Sequence, residues 1–260
     1  MKKVVVITGA SSGIGLETAN YFADKGYKVY GISRADFNTS KFKHICCDIC
    51  DHNKVEQVFD QIVAEAGKID ILVNNAGIGI SGAIEFLDFE YVKKIFDVNV
   101  LALMNCCKTS LKYLRKSQGR IINISSVASI FAIPFQACYS ATKSAVESFS
   151  LALANEVKDQ RIKVVCVRPG DTKTGFTAAR QKTETTNEVY GSKINKSVAK
   201  MERDEQKGMP PIKVAQVVFK VATQKNPPLV KTVGFAYKTL SLLSRLLPTK
   251  LVNYIVGKLY

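Results

Sequence analysis

The sequence lacks any apolar run of about 18 residues or more, although 47% of its 260 residues are hydrophobic. A transmembrane helix needs about 20 consecutive apolar residues, so we expect no membrane-spanning helix. The opening residues, MKKVVVITGASSG, combine two lysines with a short apolar run that leads into glycine-rich turn residues and not into a small-residue cleavage site. This pattern favours a buried strand over a signal peptide.

An even set of cysteines is also missing. Seven cysteines in a sequence without a secretory signal indicate a reducing compartment and no disulfide framework, so we expect a cytoplasmic protein. The densest cluster, HICCDICDH at residues 44–52, lacks the paired spacing of structural zinc sites. We interpret it as a β-strand that ends at Asp48, with Cys46 and Cys47 on opposite faces, and expect no metal site.

Acidic residues are absent after Glu205, whereas nine lysine and arginine residues follow it, and the net charge of the sequence is +15. Such an uneven distribution indicates affinity for anions, which include nucleic acid, anionic lipid and negatively charged substrates. No aromatic-and-basic recognition motif accompanies the charge, so we do not expect nucleic acid as a partner.

Short runs rich in valine and isoleucine alternate with segments of helical length and periodicity. The runs occupy residues 4–8, 27–33, 44–47, 69–75, 119–125 and 162–169. This alternation predicts an α/β fold, a doubly wound parallel sheet with helices on both faces, and the length fits a single domain over residues 1–260. The polar stretch 177–206 breaks the pattern and predicts a mobile loop or a loop with short helices, within a substrate loop at 175–212.

The first strand runs directly into TGASSGIG, residues 8–15, and a helical segment follows. Glycines at these positions let the backbone turn tightly and approach a pyrophosphate, and the helix N-terminus offers free amides. A tight strand-to-helix connection would explain the glycines alone, but the position after a first strand favours a dinucleotide site. Its predicted residues are Gly9, Ser11, Ser12, Gly13, Ile14 and Gly15.

The stretch QACYSATKSA, residues 136–145, places Tyr139 and Lys143 four positions apart. On a helix such residues share one face. A nearby ammonium lowers the pKa of a phenol, which is ordinarily about 10, so the pair predicts that Tyr139 donates and accepts protons. An ordinary amphipathic helix is the alternative.

Six motifs in order resemble the short-chain dehydrogenase/reductase family over residues 1 to about 175. They are TGASSGIG, NNAG ending at Gly77, DVN ending at Asn99, ISS ending at Ser126, YSATK ending at Lys143 and RPGDTKT ending at Thr174. The resemblance implies a Rossmann-like single domain, a nicotinamide cofactor and hydride transfer between the cofactor and a carbonyl or alcohol carbon.

The resemblance also implies roles for individual residues. Tyr139 corresponds to the general acid in reduction and base in oxidation, and Lys143 to the lysine that lowers its pKa and holds the nicotinamide ribose. Ser126 corresponds to the serine that hydrogen-bonds the reacting oxygen, with the adjacent Ser125 as the alternative. Asn99 corresponds to the residue that holds a water in the proton relay. Without the tyrosine and lysine, Ser126 and Asn99 would be read as a strand end and a polar helix position.

Further cofactor contacts follow from the same resemblance. They are Asp48 and Ile49 beside the adenine, Asn75, Ala76 and Gly77 beside the adenosine ribose, and Pro169, Gly170, Thr172 and Thr174 on the nicotinamide side. Thr172 departs from the family's usual isoleucine or valine.

The end of the second strand predicts the choice of cofactor. Ser33 stands where an acidic residue would bind the ribose hydroxyls of NAD, and Arg34 follows it. Arginine forms charge-assisted bonds to phosphate, so we expect NADP(H) and not NAD(H). Asp36 lies close enough to weaken the argument, and a solvated loop charge is the alternative for Arg34.

Apolar residues predict the substrate class. Ile130, Phe131, Ile133, Phe135 and the segment 79–86 are expected to border the pocket, which fits a small lipophilic substrate such as a steroid, a retinoid or a long-chain carbonyl. Core packing would explain the same residues.

The end of the sequence predicts an amphipathic C-terminal helical extension at 233–260. Val233, Ala236, Leu240, Leu243 and Leu247 fall on one helical face, with Lys238 and Arg245 opposite. Such a helix could lie peripherally on an anionic membrane surface, cover the active site or pack in a dimer, and packing is the favoured interpretation. The extension resembles hydroxysteroid and retinol dehydrogenases and lacks the V-D-G-G-like ending common in acyl-carrier-protein reductases.

Together these features predict an NADP(H)-dependent oxidoreductase acting on a lipophilic carbonyl or secondary alcohol. One alternative is a 3-oxoacyl thioester reductase of the same family. Another is a cofactor-bound protein that binds membrane or nucleic acid and has vestigial catalysis, which the complete Asn, Ser, Tyr and Lys set argues against. The resemblance implies a homodimer or homotetramer.

Overall fold

The computed structural model describes residues 2–183 and 188–260. Within them, a central sheet of seven strands has the order β3-β2-β1-β4-β6-β7-β9, and every neighbouring pair is parallel. Its strands are β1 (Val4–Thr8), β2 (Lys28–Ser33), β3 (Lys43–Cys46), β4 (Ile71–Asn74), β6 (Arg120–Ile124), β7 (Lys163–Pro169) and β9 (Val230–Val233), and the short β5 (Ile80–Ser81) and β8 (Gln181–Lys182) pair separately.

Helices cover both faces of the sheet. They are α1 (Gly13–Asp24), α2 (His52–Ala66), α3 (Phe89–Phe96), α4 (Ala102–Ser117), α5 (Ala137–Glu156), α6 (Phe176–Ala179), α7 (Lys193–Gln206), α8 (Pro211–Thr223), α9 (Phe235–Leu243) and α10 (Thr249–Leu259). Successive side chains of β1 alternate between two hydrophobic cores, one shared with α2, α4 and α5 and the other with α1 and α8. The predicted single-domain α/β fold is therefore confirmed.

The strand order explains where a site can form. From β1 the chain proceeds outward through β2 to β3, and then crosses back to β4 on the other side of β1. A crevice opens at the carboxyl ends of the strands where such an order reverses, and ligands of open α/β sheets bind there.

All six strands expected from the sequence are present, with ends shifted by two residues at most. The strand β3 ends at Cys46 and not at Asp48, and Cys46 is exposed while Cys47 is buried. Across residues 2–183 and 188–260, no group of three His, Cys, Asp or Glu side chains is arranged to hold a metal ion. The strand β9 was not expected. It has only four residues at the edge of the sheet, and only the last of them, Val233, is buried.

The stretch 177–206 differs from the expected loop. It contains the end of α6, the short β8 and the 14-residue α7, and residues 184–187 of the expected loop lie outside the described residues. Along α7, Ile194, Val198 and Met201 form a narrow buried stripe. The many charged residues around this stripe lowered its hydrophobic signal in the sequence.

The C-terminal extension also differs from its expected form. Val233 ends β9 and is buried, Gly234 has a φ of +97°, and α9 starts only after it. Beyond Val233, the predicted apolar face is not buried, because Leu240, Leu243 and Leu247 are 49%, 47% and 38% exposed. Ser241 is the buried residue of α9 instead. None of the described helices is long and apolar enough to cross a membrane.

Candidate active site

A cavity of about 710 Å³ lies at the carboxyl ends of the central strands. It brings together nearly all of the residues expected at a cofactor site, from the loops after β1, β2, β3, β4, β6 and β7 and from the first turns of α5. Gly15 and Asn99 are the expected site residues that do not line it. The sequence motifs, which are up to 165 positions apart (Gly9 to Thr174), thus meet in one place.

The glycine-rich loop has the geometry that a pyrophosphate requires. Gly9 and Gly13 have φ values of +67° and +53°, which favour glycine, and a Cβ on Gly9 would come within 2.8 Å of the Ala76 backbone. The N-cap residue of α1, Ser12, makes no side-chain cap, so the first amides of the helix remain available to an anion. A Cβ on Gly15 would overlap the Gly9 carbonyl, so Gly15 allows α1 to pack closely against the loop.

Asn75 holds the loop from the neighbouring strand end. Its Nδ2 donates to the carbonyl oxygens of Thr8 and Gly9 at 3.0 and 3.2 Å. The backbone amides of Asn75 and Ala76 donate to the Thr8 hydroxyl at 3.0 and 3.1 Å. The floor of the cavity is therefore a rigid backbone surface.

The end of β2 carries the residues expected to select the cofactor. The Ser33 hydroxyl and His44 Nε2 lie 2.6 Å apart, whereas Arg34 is exposed at the cavity edge. Within the described ranges Arg34 forms no salt bridge, and the Asp48 carboxylate accepts a hydrogen bond from the Cys50 amide at 3.0 Å. The Arg34 guanidinium is thus available to an anionic ligand.

Tyr139, Lys143 and Ser126 lie together on the opposite wall. Lys143 Nζ is 5.7 Å from the centre of the Tyr139 ring and donates to the Ile124 carbonyl at 3.1 Å. The Ser126 hydroxyl lies close enough to Tyr139 to lower the pKa of the phenol, and it accepts a hydrogen bond from the Ala128 amide at 3.1 Å. The Ser125 hydroxyl instead donates to the Lys143 carbonyl at 2.8 Å, so this side chain is engaged with the backbone of α5.

The pKa values in this group differ from the sequence expectation. Burial raises the pKa of Tyr139 to about 12, and the nearby Ser126 hydroxyl opposes this shift. Burial lowers the pKa of Lys143 to about 8. The expected lowering of the tyrosine pKa is therefore wrong for this structure, because desolvation outweighs the other influences on the phenol.

Asn99 lies behind the lysine in a π-helical turn, Asp97–Leu101, between α3 and α4. Its Oδ1 accepts from the Ile78 amide at 2.8 Å, and its Nδ2 donates to the Ile78 carbonyl and the Thr142 hydroxyl at 2.9 and 3.2 Å. A Cβ on Gly77 would lie 3.2 Å from Asn99 Oδ1 and 3.5 Å from Lys143 Nζ. The amide therefore fixes the loop after β4 close to the lysine, in the kind of π-turn often found at functional sites.

Charged residues that sequence reasoning missed lie on the substrate side of Tyr139. Glu205 and Asp171 line the cavity. Arg180, nearly fully buried, forms a salt bridge with Glu205, and Asp171 accepts a hydrogen bond from the Tyr237 hydroxyl. Asp171 belongs to the RPGDTKT motif, but Glu205 had no local signal because it lies near the end of the unexpected helix α7.

Desolvation raises the pKa of Asp171, and the carboxylates of Glu205 and Asp204 reinforce the shift against the Tyr237 hydrogen bond and Arg180. Asp171 has no salt-bridge partner within residues 2–183 and 188–260. The wall beside Tyr139 therefore carries the Glu205 carboxylate paired with Arg180, the Lys143 ammonium, and the Asp171 carboxyl group, which no cation of the described residues pairs with directly.

The expected apolar pocket is confirmed only in part. Ile133 lines the cavity, and so does Phe176, whose ring centre is 5.7 Å from that of Tyr139. Ile130, Phe131 and Phe135 do not line it. In the segment 79–86, Ile80 and Ala83 are buried in separate hydrophobic clusters. For these two residues, core packing is therefore the correct explanation.

Known proteins are similar to this chain both in sequence and in structure. A family model described as short chain dehydrogenase matches residues 3–185. The chain is 40% identical over 263 residues to the 3-ketodihydrosphingosine reductase of Bacteroides thetaiotaomicron, covering 99% of this chain and 98% of that protein. It is also similar in structure to a short-chain dehydrogenase from Streptomyces avermitilis, with a TM-score of 0.84, 27% identity and coverage of 94% and 93%.

Two further solved structures contain different nicotinamide cofactors. ElxO with NADP bound has a TM-score of 0.76 and 28% identity, with coverage of 92% of this chain and 100% of that one. The 3-ketoacyl-(acyl-carrier-protein) reductase from Brucella melitensis complexed with NADH has a TM-score of 0.76 and 25% identity, with coverage of 89% and 96%. The similarity to these structures therefore indicates a nicotinamide cofactor but does not distinguish NADP(H) from NAD(H).

Proposed function

The chain belongs to the short-chain dehydrogenase/reductase family, and on that premise we propose that it is an NADP(H)-dependent oxidoreductase that reduces the ketone of a long-chain lipophilic substrate. The observation that carries this proposal is the grouping of Tyr139, Ser126 and Lys143 on the wall of the cavity that holds the glycine-rich loop. A homodimer or homotetramer is part of the proposal by family resemblance.

In the proposed reaction the residues around the glycine-rich loop would hold NADPH, which would supply the hydride for the carbonyl carbon. Tyr139 donates the proton that the carbonyl oxygen needs, and the product is a secondary alcohol. Because the pKa of Tyr139 is about 12, its phenol is protonated at neutral pH and ready to act as a general acid. Ser126 hydrogen-bonds the same oxygen and aligns it with the phenol.

Lys143 replaces the proton that Tyr139 loses. With a pKa of about 8, its ammonium holds a transferable proton at neutral pH. Asn99 fixes the nearby loop and is proposed to hold the connecting water. The Ser125 hydroxyl is engaged with the α5 backbone, which supports Ser126 as the serine that acts on the substrate.

The proposed preference for NADP(H) rests on Arg34. Its guanidinium is exposed at the cavity edge and has no salt-bridge partner in the described part of the chain. A phosphate on the adenosine ribose would form charge-assisted hydrogen bonds with it. Ser33 presents no carboxylate to the ribose hydroxyls, so the feature that favours NAD(H) is missing.

The charged wall supports an amino ketone as the substrate. Arg180, Glu205 and Asp171 all act on the pKa of Tyr139, so they lie close to the place where the ketone reacts. An ammonium on the carbon next to the ketone would meet the Asp171 carboxyl group, which has no salt-bridge partner in the described residues. The substrate named for the Bacteroides relative, 3-ketodihydrosphingosine, has such an amino group beside its ketone and a long alkyl chain.

A 3-oxoacyl thioester reductase is the second candidate, since that activity is named for the Brucella neighbour. A thioester substrate has no amino group beside its ketone. Asp171 and Glu205 would then contribute nothing to its binding, which separates the two candidates.

The test compares NADPH and NADH oxidation with three substrates: 3-ketodihydrosphingosine, the long-chain ketone without the amino group, and a 3-oxoacyl thioester. We expect turnover of the amino ketone with NADPH. Asp171→Asn retains an acceptor for the Tyr237 hydroxyl. It is expected to raise KM for the amino ketone about tenfold or more, because a hydrogen bond to a charged group is lost. KM for the ketone that lacks the amino group should not change.

Asp159→Asn, an exposed change outside the cavity, is the matched control, and Glu205→Gln tests the second carboxylate. Faster turnover of the thioester than of the amino ketone would contradict the amino-ketone assignment. An equal rise in KM for both ketones in Asp171→Asn would contradict it as well. A preference for NADH would contradict the assignment of Arg34.

A further inference from the structure

We propose that α9 and α10 form a docking surface for an anionic lipid bilayer. The surface is defined by Phe235, Leu242, Leu246, Leu251, Tyr254, Ile255 and Leu259, together with Lys238, Arg245, Lys250 and Lys258, and is called the C-terminal surface below. The proposal goes beyond the reaction, because vesicle binding requires neither cofactor nor substrate.

Apolar exposure is concentrated at this end of the protein. Of the 16 exposed large hydrophobic residues in the described ranges, ten lie between Phe235 and Leu259. Phe235 is 86% exposed and Leu246 is 77% exposed. Scattered exposed leucines are ordinary, but ten exposed large hydrophobic residues within one stretch of 25 positions indicate an interaction surface.

The helices are fixed to the body of the protein by their other face. The Tyr237 hydroxyl donates to Asp171, and a Cβ on Gly170 would overlap the Tyr237 ring. Tyr260 packs beside the buried cluster that contains Ile194 and Val198. The outward apolar residues therefore belong to anchored helices and form a defined surface.

The charge of the C-terminal surface selects its occupant. All four of its cations are exposed, none has a salt bridge within the described residues, and no acidic residue occurs after Glu205. Exposed leucines beside lysines and arginines match the interface of an anionic bilayer, whose surface attracts each cation electrostatically. An isologous contact with a second copy would place these like charges together, so a homo-oligomer would have to assemble through another surface.

The lengths of the helices agree with a position on the bilayer. The nine residues of α9 and eleven of α10 fall well short of the roughly 20 needed to span one. Burial of the apolar side chains to about 5–10 Å would place the helices in the headgroup boundary.

The position of the surface connects it to the cavity. Tyr237 contacts Gly170 and Asp171, which line the cavity. A lipophilic substrate in the bilayer would therefore be held next to the site that reduces it, and this step alone rests on the proposed function.

The experiment is co-sedimentation of the full chain with vesicles of phosphatidylcholine alone and with vesicles that also contain phosphatidylglycerol. We expect binding only to the anionic vesicles, weakening as salt rises. The double variant Leu242→Glu/Leu246→Glu is expected to bind the anionic vesicles at least about tenfold more weakly. The binding of Arg245→Glu/Lys250→Glu is expected to lose its dependence on salt.

The matched controls are Phe89→Glu, also at an exposed apolar residue, and Lys116→Glu, an exposed lysine on α4; both are expected to bind normally. Turnover of a water-soluble ketone checks that each variant is folded and is expected to be unchanged. Absence of binding to anionic vesicles, or equal binding to neutral ones, would overturn the proposal. Self-association in sedimentation velocity that Leu242→Glu/Leu246→Glu abolishes would assign the surface to a second copy instead.

Discussion

The strand β1 and the helix α9 use apolar residues in opposite ways. All five residues of β1 are buried between two helical layers, whereas α9 buries Ser241 and exposes Leu242 and Leu243. In β1 every side chain faces protein, so an apolar residue can only be core. In α9 one face meets solvent, and the residues that pack inward are held by a hydrogen bond to Asp171 and by close fit at Gly170. Hydrophobicity alone therefore identifies a buried element but not which face of a peripheral helix is buried.

The candidate active site and the C-terminal surface differ in charge. The cavity wall beside Tyr139 carries the carboxylates of Asp171 and Glu205, while the C-terminal surface carries cations without acidic neighbours. The anionic membrane and the amino-ketone substrate that we propose carry opposite charges, and each proposed site carries charged groups of the sign that its ligand needs. The following experiments test this division by changing the same residue type in both regions.

The largest effect is expected for Tyr139→Phe. Removal of a general acid costs about 10²- to 10⁴-fold in kcat, while NADPH binding should be retained because the ring remains. Tyr254→Phe removes a hydroxyl from the C-terminal surface and should leave turnover of a soluble ketone unchanged. Steady-state kinetics and cofactor titration measure both. A Tyr139→Phe enzyme with normal kcat would remove the tyrosine from the chemistry.

The next effect is expected for Arg34→Ala. Loss of charge-assisted hydrogen bonds to a phosphate costs about 1.5–3 kcal/mol, so KM for NADPH should rise about 10- to 100-fold while KM for NADH is unchanged. Arg245→Ala alters an exposed arginine of the C-terminal surface and should change neither. Equal changes for both cofactors would show that Arg34 does not recognise the phosphate.

A pH profile tests the buried lysine. Below its pKa of about 8 Lys143 holds a proton, and above that value the proton is lost and cannot be passed to Tyr139. For ketone reduction, kcat/KM should therefore fall about tenfold per pH unit above about pH 8. A rate independent of pH up to about pH 10 would mean that Lys143 does not supply the proton.

The smallest effect is on stability. Burial lowers the pKa of Lys143 from 10.5 to about 8 in the folded protein, so the unfolded chain binds this proton more tightly and the charged lysine destabilises the fold below about pH 8. Lys143→Met should raise the free energy of unfolding by about 1–2 kcal/mol at pH 7, and the gain should decline above about pH 8 and vanish above about pH 10.5.

Lys238→Met changes an exposed lysine of the C-terminal surface and is the control, with no change expected. Denaturant unfolding at pH 7 and at higher pH measures both variants. A destabilised Lys143→Met protein would show that the hydrogen bond from Lys143 to the Ile124 carbonyl outweighs the desolvation of the ammonium.

Local pattern was sufficient where a residue's role depends on its neighbours in the chain. The runs that became β1, β2, β6 and β7 were continuous and apolar because parallel strands are covered on both faces, and the glycine-rich turn was visible because only glycine tolerates its backbone geometry. The four-residue spacing of Tyr139 and Lys143 correctly placed them together on α5, but the direction of the tyrosine pKa shift depended on burial, which spacing does not contain.

By itself, the amino-acid sequence determined the doubly wound sheet, the family motifs and the residues gathered around the glycine-rich loop. Only the tertiary structure decided that Glu205 and Asp171 share a cavity with Tyr139, that Ser125 is engaged with the α5 backbone, and that α9 turns its leucines outward. The hydrogen bond from Tyr237 to Asp171 joins residues 66 positions apart. Periodicity reports which residues share a face of one element, whereas contacts over such separations depend on how whole elements pack.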